Sequence, residues 1–77
     1  MRATYTVNRE SKDLYGNVIA SSTLADYTRK ADAERMVSRM ARAWKKKGDT
    51  VLRHNIGYIT VCHTETATTS EYYITRN

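Results

Sequence analysis

The chain has 77 residues, 40% hydrophobic and 27% charged, with a formal net charge of +5 and a sequence pI near 9.6. That length makes one small domain, which buries only about 60% of the surface its unfolded chain exposes, so a binding module is expected rather than a deep enclosed active site. The composition excludes a disordered chain, no apolar run approaches the ~20 residues that span a bilayer, and Met1 to Tyr5 hold no signal-like apolar stretch, so the sequence reads as a soluble cytoplasmic protein that does not enter a membrane.

Residues Ala3 to Glu10 alternate, with Tyr5 and Val7 on one face and Thr4, Thr6 and Asn8 on the other, which predicts a half-buried strand. Turn formers from Ser11 to Asn17 lead into a second strand over Val18 to Thr23, making a hairpin. From Lys30 to Lys47 the period becomes helical: Ala33, Met36, Val37, Met40 and Trp44 recur on one face, with Ala41 beside them. Thr28 is the candidate N-cap, Asp32 and Glu34 suit the positive end of the helix dipole, Lys45 to Lys47 suit the negative end, and Gly48 suits a left-handed cap.

Thr50 to His54 and Tyr58 to Thr64 then read as two strands around the turn Asn55-Ile56-Gly57, and Ser70 to Arg76 reads as a fifth strand. The order ββαβββ predicts a single two-layer α+β domain spanning residues 1–77, with one amphipathic helix on one face of a mostly antiparallel sheet. Alternation directs Tyr5, Val7, Ile59, Val61, Tyr72 and Ile74 to the helix. It places Thr4, Thr6, Tyr58, Thr60, Cys62, Tyr73 and Thr75 on the open face. Six Tyr and one Trp with no Phe give almost every large ring a polar handle, as at interfaces, so Tyr58, Thr60, Tyr73 and Thr75 are the candidate partner-binding set.

The excess charge is localised. Between Arg29 and Gly48 stand eight cations against Asp32 and Glu34, so the rest of the chain sums to minus one. Arg35, Arg39, Arg42 and Lys46 recur at i, i+4, i+7 and i+11, opposite the apolar stripe, with Lys45 beside them. Guanidinium groups pair bidentately with phosphate, and each neutralised phosphate releases counterions, so this stripe is the candidate nucleic-acid site; an acidic protein is its other candidate partner. The charged outer side of any amphipathic helix is the plain alternative, but solubilising faces usually mix signs and this stripe has no acid at i±4.

Tyr27-Thr28-Arg29-Lys30-Ala31-Asp32-Ala33-Glu34 is similar to the strand-to-helix junction of the AP2-like arm domains of tyrosine recombinases, which place an aromatic, basic residues and an acidic-Ala pair there. Those domains have three strands before a terminal helix. Here two strands precede the helix and three follow, so neither fold nor function is carried over.

Enzyme chemistry finds little footing in the sequence. Gly16, Gly48 and Gly57 are too widely spaced for a phosphate loop. Cys62 cannot form an internal disulfide, and with His54 and His63 it falls short of a zinc site, so no metal or cofactor is expected. Cys62 and His63 point to opposite faces of a strand, and no Ser or Thr has a recognisable base and orienting acid. Two non-enzymatic readings remain: a basic module on nucleic acid phosphates, or a protein-binding accessory or inhibitor of the kind common in phages. The second would act through the Tyr/Thr face or an edge strand, possible homodimerisation included.

Overall fold

The computed structural model describes residues 4–77, so Met1, Arg2 and the expected strand position Ala3 lie outside the described residues. Five strands and one helix follow the expected order: β1 (Tyr5–Lys12), β2 (Val18–Tyr27), α1 (Lys30–Lys46), β3 (Thr50–Asn55), β4 (Tyr58–His63) and β5 (Thr68–Arg76). The sheet is antiparallel throughout, in the spatial order β2-β1-β5-β4-β3. Two hairpins form from neighbouring segments, and the last strand inserts between them, pairing Val7 with Ile74 on one side and Ile59 with Tyr72 on the other. Because β2 and β3 are the two edges, the connection through α1 carries the chain from one edge to the other, and the helix touches every strand.

The buried core is Val7 from β1, Ile59 and Val61 from β4, Tyr72 from β5, and Ala33, Val37 and Ala41 from α1. This rotates the expected helix face. Ala33, Val37 and Ala41 form its centre line, and the small alanines let the helix lie close to the sheet, whereas Met36, Met40 and Trp44 are half-buried flanks. The expected inward set of the strands holds, with Tyr5 and Ile74 partly buried at the end of the sheet.

Local signals explain the helix ends unequally. The residue at the N-cap is Arg29, in extended conformation and without a side-chain cap bond, so Thr28 does not cap; it lies one residue too early to meet the first free N–H groups. The C-terminal end closes as expected: Gly48 has φ +98°, its N–H donates to the Lys45 carbonyl (3.1 Å), and the Asp49 N–H donates to the Trp44 carbonyl (3.1 Å). This pair of bonds is a Schellman motif, and it sets Asp49 beside the sheet.

β2 runs four residues beyond the expected Thr23, because Ala25, Asp26 and Tyr27 pair with Val7, Thr6 and Tyr5 past a register shift. Its first half, Val18 to Thr23, is exposed along its whole length. The turn before it is tightly made: Asp13 accepts from the Tyr15 and Asn17 N–H groups (both 2.9 Å), which also holds its carboxyl below the ordinary range, and Gly16 takes φ +82°. Among the described residues no helix is long and apolar enough to cross a membrane.

Candidate functional site

The helix presents its cations where a ~100° step places them. Arg35, Arg39, Arg42 and Lys46 lie on the side turned away from Ala33, Val37 and Ala41, and all four are exposed, as is Lys45. Arg35 pairs with Asp32 one turn earlier (3.5 Å), which neutralises one member of the stripe in part; the sign-free spacing at i±4 did not reveal this i−3 partner. Among the described residues, Arg39, Arg42, Lys45 and Lys46 have no carboxylate within ion-pair distance.

The stripe is not a flat patch. The edge strand β3 flanks one side of α1, and there Arg53, on the same sheet face as Val51, joins the helix cations. Arg35, Arg42 and Arg53 line one depression with Ala31, Ser38 and Ile56; Arg42 and Arg53 line the next with Lys45, Ala41 and Val51. Arg39 and Lys46 stand outside this furrow, on the helix crest. Arg53 was absent from the sequence-derived set although its alternation with Val51 signals the helix-side face; what the sequence lacks is the position of β3 at the edge beside α1.

The open face of the sheet carries the other expected set, and its polar groups are already engaged. The Tyr58 hydroxyl donates to Glu71 (3.1 Å), the Tyr73 hydroxyl to Glu10 (2.9 Å), and Asn8 to the Thr75 hydroxyl (3.0 Å), while Thr60 bonds His54 (2.7 Å). Lys12 pairs with Glu71 (3.1 Å), and the His54 ring lies 4.4 Å from that of Tyr58. These bonds raise Tyr58 and Tyr73 above the ordinary phenol range, chiefly through Glu71 and Glu10, and raise Lys12 through Glu71. Thr6 was expected on the open surface but is 6% exposed, covered by its bonds with Asp26 and Asn77. The face therefore carries bonded hydroxyls and carboxylates rather than a Tyr/Thr surface: alternation in β5 puts Glu71 there with Tyr73 and Thr75, and the structure adds Glu10 and Asp26.

A third constellation lies beneath the C-terminal end of α1. His63 Nδ1 is 3.1 Å from Asp49 Oδ2, and His63 Nε2 is 2.8 Å from Ser70 Oγ, so the structure supplies the base and orienting acid that the sequence had not shown for any Ser. The bond with His63, helped by Thr64, holds the Asp49 carboxyl below its ordinary range against the opposing push of burial. The order is that of an acyl-transfer triad, but a nucleophile must meet its substrate. Ser70 is 1% exposed, its oxygen also contacts Arg9 (3.3 Å) and Ser11 (3.4 Å), and it does not line the adjoining cleft of Arg9, Trp44, Lys47, His63 and Thr64. The arrangement ties β1, β4, β5 and the loop after α1 together. Trp44 completes it, donating to the Tyr72 hydroxyl (2.9 Å) and meeting the His63 ring edge-on at 4.6 Å. Neither His54 nor Cys62 enters this cluster, and among the described residues no three His, Cys, Asp or Glu side chains are placed to hold a metal ion.

The chain matches no protein-family model, no curated protein and no solved structure.

Proposed function

We propose that this chain is a small basic, non-enzymatic binding domain of the cytoplasm that takes up nucleic acid through the phosphates, along α1 and β3. The supporting observation is the set Arg39, Arg42, Lys45, Lys46 and Arg53, which shares one side of the molecule, exposed and without carboxylate partners among the described residues. Holding like charges together costs stability through mutual repulsion, and a polyanion turns that cost into binding by releasing its own counterions. Few neutral polar side chains accompany the arginines, so contact with the backbone rather than reading of bases is the expected mode.

The test is salt-dependent binding of labelled DNA and RNA of unrelated sequence. Replacing Arg35, Arg39, Arg42 and Lys46 by Gln should weaken all sequences about equally and lower the log–log salt slope by about 0.9 per lost contact on duplex or about 0.7 on single strands. Failure of duplex and of single-stranded DNA and RNA to bind at low salt would end this reading.

One observation favours a second reading as a protein-binding accessory. Leu14 (73% exposed) and Tyr15 (88%) sit on the tight β1–β2 turn, followed by exposed Val18 and Ile19 and an uncovered edge strand. A preformed apolar tip is what a partner's pocket selects, because little ordering remains to be done on binding. On this reading the hairpin tip, and not the already bonded Tyr58, Thr60, Tyr73 and Thr75, makes the contact.

A further inference from the structure

Resting on the nucleic-acid reading above, we infer that the furrow between α1 and β3 takes a single-stranded nucleic acid, its phosphates laid between Arg35, Arg42 and Lys45 on the helix wall and Arg53 on the strand wall. Cations on a helix crest alone would suit a duplex, since an α-helix fits the major groove and crest side chains there reach phosphates on either side. Here the cations come from two elements and converge on one line. Arg42 and Arg53 border both depressions that make up the furrow, so a chain lying in it passes between them. Ala31, Ser38 and Ala41 are small and leave room for a thin strand between the cations, whereas a duplex, a broad cylinder with diverging phosphates, would rest on the helix crest.

The furrow also leads somewhere. Glu34 and Ile56 line both its end and a wider cleft of about 590 Å³ that is bordered by Tyr5, Tyr58, Tyr73 and Ile74 together with Lys30 and Arg76. Glu34 is the one carboxylate on this path, against six cations. Single strands differ from duplexes in having unstacked bases, and sites for them combine a basic track with aromatic and apolar side chains that receive those bases. From Lys45 to Lys30 the path is about 22 Å long at 1.5 Å per residue, the span of about four nucleotides. Because β3 is an edge strand, the furrow is open along one side, and a strand can enter laterally without threading.

The experiment compares oligo-dT and oligo-U of about 12 nucleotides with a DNA duplex of equal length at low salt, using the intact chain and single variants on each wall and on the crest. The inference expects either single strand to bind about tenfold more tightly than the duplex, and Arg53→Gln and Arg42→Gln to weaken single-strand binding more than Arg39→Gln and Lys46→Gln do. Each furrow variant should also lower the salt slope by about 0.7. All four side chains are exposed, so the variants keep the fold, which circular dichroism checks. Duplex binding as tight as single-strand binding, or a greater loss from the crest variants than from the furrow variants, overturns the inference while leaving phosphate binding by α1 intact. Absence of binding to all three probes overturns the functional reading and this inference together.

Discussion

The open face of the sheet and the outer side of the helix are both rich in charge, but only one of them is internally satisfied. On the sheet face two bonded groups stand across β1, β5 and β4: Lys12 and Tyr58 both bond Glu71, and Tyr73 bonds Glu10. On the helix side the only ion pair among the described residues is Asp32–Arg35, and Arg39, Arg42, Lys45, Lys46 and Arg53 face water. Bonded charges fix strand register and are costly to redirect to a partner, because a ligand must first replace the bonds it breaks. Unpaired cations carry no such cost. The helix side, whose cations other than Arg35 have no carboxylate partner among the described residues, can therefore take up an anion without first breaking bonds of the fold.

The sharpest way to break this contrast is to ask what holds the helix down. If its outer cations have no structural duty, the inner face must do all the holding. Trp44→Ala removes a half-buried ring, its bond to Tyr72 and its contact with His63, and should cost about 3 kcal/mol in denaturant unfolding. Arg39→Gln and Arg42→Gln should each stay within about 0.5 kcal/mol. An unchanged midpoint for Trp44→Ala would mean that the helix is held elsewhere.

Much of this architecture is legible in the sequence. The 3.6-residue period of α1, the alternation in β4 and β5 and Gly48 each express a local rule that tertiary contacts reinforce. Sequence did not show which of two apolar lines on the helix would be central, because Ala33 and Ala41 count as weakly hydrophobic while contributing closeness rather than area. It did not reveal Arg53 as part of the basic surface, since that depends on strand order. Nor did it bring together Asp49, His63 and Ser70, whose meeting requires both the turn at Gly48 and the pairing of β4 with β5.

The two polar networks should also fail at opposite ends of the pH scale. Asp49 and Asp13 have depressed carboxyl pKa values, so their stabilisation is present above the unfolded Asp value of about 3.9 and is lost as pH falls through their lower folded values. Midpoints of urea unfolding should decline below about pH 4, and Asp49→Asn should flatten that decline. An acid limb of unchanged steepness in Asp49→Asn would assign it to other carboxylates.

The smallest effect is expected on the sheet face, where it separates the two regions most cleanly. Tyr58, Tyr73 and Lys12 all have raised pKa values, so their stabilisation is complete below the unfolded values of about 10 and is lost as pH climbs through the folded ones. The phenols cannot ionise beside Glu71 and Glu10 without placing two negative charges together, and Lys12 cannot lose its proton without abandoning Glu71. Tyr58→Phe with Tyr73→Phe removes both phenols and keeps the rings, so the alkaline decline above about pH 10 should become shallower. At neutral pH the change in stability should be about 1 kcal/mol or less for each bond, because these are partly exposed groups that water can serve. Nucleic-acid affinity and its salt slope at neutral pH should not move, since neither variant alters a charge. A drop in affinity in the double variant, with the fold intact, would show that the hydroxyls themselves, and not only the rings bordering the cleft at the end of the furrow, contact the ligand.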